Sequence, residues 1–195
     1  MSANPRILAF AGSLRRDSFN KKLARVAADA ARAAGAEVTY LDLRDIPLPV
    51  YDGDLEAAEG IPENAKRLKQ LMKEHQGFLI SSPEYNSSIP GILKNAIDWA
   101  SRAEKNEPAL ACFKGKVCGL MAASPGNLGG LRGLIPLRAI LSHMQVLVVP
   151  DQIAISKANE AFTPDGKLVD AKQQATVEAI AARVVTVIRA LSASH

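Results

Sequence analysis

Two rhythms of apolar residues alternate along the chain. RILAFA at 6–11 and GFLIS at 77–81 are apolar almost throughout, which predicts short strands buried on both faces. EVTYLD at 37–42 alternates apolar with polar, and KVCGLMAA at 116–123 and QVLVV at 145–149 complete a set of five predicted strands. Between them apolar residues recur every three or four positions. Leu23, Val26, Ala27, Ala30 and Ala34 fall on one helical stripe over 19–34, with Gly35 as its stop. A helix opened by Pro62 carries Ala65, Leu68 and Met72 and ends near Gly77; another opened by Pro90 carries Leu93, Ala96, Ile97 and Ala100. Residues 131–144 are helical with Pro136 demanding a kink or a later start, and a last helix over 170–191 aligns Val177, Ile180, Ala181, Val184, Ile188 and Leu191.

Strands alternating with helices in this way predict a parallel sheet with helices on both faces. Right-handed crossovers and short connections favour the five-stranded order 2-1-3-4-5. At 195 residues the chain suits one domain spanning 1–195. Two stretches stand outside this plan. Residues 43–61, rich in proline and glycine, are too long for an ordinary connector and predict a functional flap or a partner contact. Residues 150–169 predict a short extra strand and a turn at Pro164-Asp165-Gly166.

Composition narrows the class. Hydrophobic residues make up 48% and charged residues 23%, values of a soluble globular chain that favour neither disorder nor a membrane span. The start lacks the apolar stretch of a secretory signal, so the expected address is the cytoplasm. The +4 charge is spread out, with basic pairs only at Arg15-Arg16, Lys21-Lys22 and Lys66-Arg67, which argues against nucleic acid and suits the attraction of a small anion. Cys112 and Cys118, six apart with no histidine near, match neither a disulfide framework nor a zinc site, and no metal is expected. Cys118 reads as a buried thiol. His75, His143 and His195 read as solvated or helix-capping residues.

Ligands of an open parallel sheet bind beyond the carboxyl ends of the strands, where strand order reverses. For the order 2-1-3-4-5 the loops there are GSLRRDSFN at 12–20, SPEYNSSIPG at 82–91 and SPGNLGG at 124–130. The first joins a strand to a helix and suits a phosphate: free N–H groups, a helix dipole, neutral donors at Ser13, Ser18 and Asn20, and a charged fork at Arg15. An ordinary turn with Ser18 as the helix cap is equally open. Neither GxxxxGK[ST] nor GxGxxG is present, nor a G-x-S-x-G elbow around Ser13. In the second loop Tyr85 and Pro83 can pack on a planar ligand with Asn86 at its polar edge, or Tyr85 can plug the end of the sheet with Asn86 in a turn. In the third, Ser124 with Gly126, Gly129 and Gly130 allows close approach to a ring, or makes simple turns.

Taken in order, GSLRRDSFN, SPEYNSSIPGILKNAIDW and SPGNLGGLRG resemble the motifs of NAD(P)H-dependent FMN reductases of flavodoxin-like fold, a group that includes bacterial quinone, chromate and azo-dye reductases. The resemblance spans residues 6 to about 150. It implies a three-layer α/β sandwich in which Ser13, Arg15, Ser18 and Asn20 hold the FMN phosphate, with Leu14 and Phe19 in the same binding loop. Pro83, Glu84, Tyr85 and Asn86 would line the isoalloxazine ring, and Ser124 and Gly126 its pyrimidine side. FMN would take hydride from NADH or NADPH and pass it to a quinone, azo compound, chromate or free flavin, with no catalytic side chain. Small residues around Ser87 and Ser88 would leave one ring face open. The alternatives are a flavodoxin-type electron carrier and a flavin-binding regulator. The resemblance further implies a homodimer or homotetramer, with the proline-rich segment 46–55 near a partner's flavin; Ile92 and Trp99, one face round from the core stripe of their helix, are candidates for that interface or are partly buried within the monomer.

Overall fold

The structure, a computed structural model, describes residues 4–193. Its five strands are β1 (Arg6–Ala11), β2 (Glu37–Leu41), β3 (Gly77–Ser81), β4 (Val117–Ala123) and β5 (Leu147–Ile155), all parallel in the order β2-β1-β3-β4-β5. Six helices connect and follow them: α1 (Phe19–Ala33), α2 (Gly53–Glu59), α3 (Glu63–Glu74), α4 (Gly91–Ser101), α5 (Leu131–His143) and α6 (Ala171–Ala193).

Because successive strand residues point to opposite faces, β1 sends Ile7 and Ala9 one way and Leu8 and Phe10 the other. On the first face Leu23, Val26 and Ala27 of α1 and Val177, Ile180 and Val184 of α6 close over Leu79 and Met121. On the second, Leu68 and Met72 of α3, Leu93 and Ile97 of α4, and Leu134, Leu137 and Leu141 of α5 close over Phe78, Ile80 and Leu120. Each such buried side chain contributes roughly 1.5–3 kcal/mol relative to exposure. The central strands are therefore apolar without alternation, the result of burial from both sides.

Three expectations are corrected or narrowed. β5 does not end at residue 149 with a separate strand after it; the same strand continues through Pro150 to Ile155. Its pairing with β4 jumps from Cys118↔Val148 to Leu120↔Gln152, and Pro150 sits in that irregularity of an edge strand, where no ladder N–H is needed. Arg138 holds the distortion, donating from Nη1 to the Val149 carbonyl at 2.9 Å and from Nη2 to Gln152 Oε1 at 2.9 Å. Secondly, α5 runs through Pro136 from Leu131, so no later start is taken.

Thirdly, Trp99 is not an exposed interface residue: it is fully buried and donates its indole N–H to the Pro49 carbonyl at 2.8 Å. The segment it lies beneath contains a 3₁₀ turn, Leu43–Asp45, and α2, and is fastened to α4. Asn95 donates to the Pro49 carbonyl at 2.9 Å and accepts from the Tyr51 amide at 2.8 Å, while Tyr51 meets the Trp99 ring edge-on. Ile92 is partly buried. The turn expected at 164–166 is present, closed by the Phe162↔Leu168 bridge. His75 is buried and caps α3, and both cysteines are buried and free. Burial pushes the Cys112 thiol up to about 11 and raises that of Cys118 further. His195 lies outside the described residues.

Candidate functional site at the carboxyl edge of the sheet

The three loops meet at the carboxyl ends of β1, β3 and β4, and Asn20 is the residue that ties them. Its Nδ2 donates to the Ala123 carbonyl at 2.8 Å, and its Oδ1 accepts from the Ala123 amide at 3.0 Å and the Ser81 hydroxyl at 2.9 Å. Both lone pairs of the side-chain oxygen are thus engaged. Asn20 is 3% exposed and pins the first turn of α1 to the ends of β3 and β4. The neighbouring Lys21, which sequence reading passed over, is 2% exposed and pairs with Asp42 at 2.7 Å. Burial works against the Asp42 carboxylate, but the hydrogen bond from Lys21 and the Arg44 amide together hold it below its ordinary value. The order β2-β1 places the strand-end Asp42 beside the first turn of α1, so topology was the available signal.

Within the first loop, Ser13 and Ser18 are buried at 3% and 4% exposure, while Leu14 and Arg15 are exposed. Ser13 Oγ accepts from the Arg15 amide at 3.3 Å. Ser18 occupies the N-cap position of α1, yet its hydroxyl makes no capping bond and no acid stands in the first turn. Elsewhere Asp52 caps α2 and Asp170 accepts from the first-turn amides of α6. The positive end of α1 is left open, and among the described residues no acid pairs with Arg15 or Arg16. Phe19 stacks on Phe162, centroids 6.3 Å apart.

The second loop is a two-residue hairpin. Tyr85 and Ser88 exchange backbone bonds of 3.0 and 3.1 Å, and Asn86 and Ser87 both have positive φ, 52° and 63°. Asparagine tolerates this left-handed geometry better than most residues, which explains its place. Tyr85 is half-exposed and Pro83 is buried. Glu84 points across to the first turn of α5, which follows the third loop, where its carboxylate accepts from the Arg132 amide at 3.0 Å, the Gly133 amide at 3.3 Å and Arg132 Nε at 2.7 Å. Ser124 is partly buried, Gly126 is exposed, and the Gly126 amide donates to Ser124 Oγ at 3.3 Å. All twelve positions predicted as cofactor-binding lie in the three converging loops, and three of them, Asn20, Glu84 and Phe19, spend their side chains on protein partners.

Cavities of about 400 and 520 Å³ open at the opposite edge of the sheet, sharing Gln76, Ile188 and Ser192, and take no residue from these loops. Among the described residues no group of three or more His, Cys, Asp or Glu side chains is placed to hold a metal, and no helix is long and apolar enough to cross a membrane.

Comparison with known proteins gives the family. Residues 5–160 match the family model described as NADPH-dependent FMN reductase. The chain is 34% identical over 179 residues to an NAD(P)H-dependent FMN reductase of Pseudomonas aeruginosa, covering 91% of this chain and 92% of that one. It is 34% identical over 172 residues to a quinone reductase of Escherichia coli, covering 87% and 88%. Among solved structures, the flavoenzyme NAD(P)H:(acceptor) oxidoreductase FerB of Paracoccus denitrificans superposes with a TM-score of 0.80 at 31% identity, covering 95% of this chain and 97% of that chain. A five-stranded sheet in the order β2-β1-β3-β4-β5, loops converging at its switch point and these matches together place the chain in the NADPH-dependent FMN reductase family, with the flavodoxin-like fold.

Proposed function

We propose that the chain binds FMN across its three loops and reduces a small oxidised acceptor, a quinone in the first instance, with electrons from NADH or NADPH. The observation that carries this reading is the open end of α1: two buried hydroxyls, Ser13 and Ser18, an uncapped first turn and an arginine without an acidic partner. A phosphate monoester supplies the acceptors that this donor set lacks, and the helix dipole adds to the attraction. Asn20 then acts as a positioning residue that holds the first turn against the strand ends rather than as a phosphate ligand.

Bound FMN supplies hydride acceptance and release. The chain's own residues bind and orient. Ser13, Ser18 and Arg15 hold the anionic tail; the hairpin at Tyr85–Ser88 presents Asn86 and backbone N–H groups toward the flat ring, with Tyr85 at its border; Ser124 and Gly126 close the far side. The exposed hairpin tip leaves room for a nicotinamide and then an acceptor to occupy the same face in turn, which implies ping-pong kinetics. Chromate, azo compounds and free flavin are further acceptors of suitable chemistry, and the reading places the protein in the cytoplasm. It also assigns a homodimer or homotetramer. With Trp99 buried, the apolar row Leu128, Leu131 and Ile135, exposed beside the site, replaces it as the face for a second copy.

Anaerobic addition of NADPH to the purified FMN-loaded protein tests the function directly. Bleaching of the flavin absorbance, with recovery on adding a quinone, is the expected result. A spectrum that stays oxidised removes the reductase reading and leaves an electron carrier or a regulator.

A further inference from the structure

The second loop and the start of α5 are joined by one ion pair whose construction goes beyond packing. The N-cap of α5 is Gly130, which has no side chain to satisfy the first-turn amides. Glu84 serves instead, reaching from the other loop: one carboxylate oxygen accepts from the Arg132 and Gly133 amides, and the other accepts from Arg132 Nε at 2.7 Å and lies 2.5 Å from an Nη nitrogen. The Glu84 side chain is 8% exposed. Glycine favours the contact. Gly130 has φ +92°, where a Cβ would stand 2.9 Å from Ala122 Cβ, and a Cβ on Gly133 would stand 3.2 Å from the Ser88 carbonyl oxygen and 3.3 Å from Glu84 Cα. The hairpin and the start of α5 thus form one rigid unit carrying a carboxylate, a guanidinium and a helix N-terminus within hydrogen-bonding distance of one another.

We propose that Glu84 and Arg132 are positioning residues that set the electrostatic potential of the cofactor site: Glu84 neutralises Arg132 and the positive end of α5, and the balance between them tunes the reduction potential of bound FMN. The proposal rests on the reading that FMN lies across these loops. Its physical basis is sign. Reduction adds negative charge to the bound ring, so an unbalanced positive charge at its border favours reduction, and an unbalanced negative charge opposes it. Glu84→Gln keeps an oxygen to accept the α5 amides but removes the negative charge. Arg132→Gln removes the positive charge and leaves the carboxylate capping the helix.

The two variants separate charge from architecture. If the pair acts by charge, Glu84→Gln raises the FMN midpoint potential above wild type and Arg132→Gln lowers it below, as measured by anaerobic dye equilibration on FMN-loaded protein. If the pair is only a strut, both changes loosen the same contact, and the potentials move together or not at all; either result overturns the proposal. Should Glu84→Gln fail to fold, Arg132→Gln suffices, because its side chain is 56% exposed and its predicted shift has a definite direction. An unchanged or raised potential in that variant also overturns it. Titration of apo wild type and Arg15→Ala with FMN, followed by flavin fluorescence, isolates the underlying reading. Failure of the wild type to take up FMN, or equal affinity in the two, sinks the placement of the cofactor; normal binding with unmoved potentials sinks the role of the pair alone.

Discussion

At the scale of single residues, the side chains that sequence read as ligands divide by what they touch. Asn20 stands in a loop dense with phosphate-binding residue types, and the same amide donors that suit a phosphate suit a strand end. Composition cannot separate the two uses, because the discriminating partners, Ala123 and Ser81, are more than 60 residues away and are brought in by topology. His75 shows the converse. Sequence placed it at a helix end as a solvated or capping residue, and its geometry now makes a prediction. Nδ1 lies 2.6 Å from the Leu71 carbonyl, which can only accept, so Nδ1 carries the proton and Nε2 accepts from the Thr39 hydroxyl at 2.8 Å. Burial is the main cause of a pKa below the ordinary 6.5, opposed by the Leu71 carbonyl and helped by Arg6. Above that value the imidazole is neutral in folded and unfolded chains alike, and its contribution to stability is intact. As pH falls through 6.5 the unfolded chain takes up the proton first, so stability declines until the depressed folded value is passed. Urea midpoints measured from pH 8 to 5 should therefore fall in the wild type more steeply than in His75→Gln. Parallel curves for the two proteins would show that the ring titrates without consequence.

At the scale of elements, periodicity reported the faces that meet the sheet and was blind to what covers the others. The stripe Leu93, Ala96, Ile97 and Ala100 marked the inner face of α4 correctly, and Trp99, just off it, read as a surface for a partner. The cover is the segment before α2, which has no repeat of its own to announce where it packs. β5 was truncated for a related reason: Pro150 breaks a ladder, and only the edge position and the irregular register make it tolerable. The covering segment yields a test because Trp99 is the chain's single tryptophan. Asn95 supplies both an acceptor for the Tyr51 amide and a donor to the Pro49 carbonyl. Removing two hydrogen bonds at about 1 kcal/mol each should weaken closure of the segment by about 2 kcal/mol. Asn95→Ala is expected to shift tryptophan emission to the red, admit a collisional quencher and speed exchange of the Tyr51 amide. Unchanged emission and quenching would mean that Tyr51 and the indole bond hold the segment without Asn95.

At the scale of the whole molecule, the fold and the cofactor are linked, and the linkage separates ligands from supports. A ligand that binds only the folded state stabilises it by about 2.7 kcal/mol at a hundredfold excess over Kd. For a chain of this size each kcal/mol moves the melting midpoint by about 2–4 °C, so saturating FMN should raise it by about 5–10 °C. Arg15 is exposed and, among the described residues, its side chain has no hydrogen bond or ion pair to the protein, so Arg15→Ala should melt with wild-type apo protein. Losing a charge-assisted bond of about 1.5–3 kcal/mol, it should forfeit most of the FMN increment at the same concentration. Asn20→Ala should do the reverse. Leaving the buried Ser81 hydroxyl and the Ala123 amide and carbonyl without their partner costs about 1–3 kcal/mol, which lowers the apo midpoint, while the hydroxyls and the arginine proposed to hold the phosphate stay in place and the increment should largely survive. Differential scanning fluorimetry of the three proteins with and without FMN reads both quantities at once. An Asn20→Ala protein with a normal apo midpoint and no response to FMN would make Asn20 the ligand and Arg15 the bystander, and the division of labour assigned to the first loop would have to be exchanged.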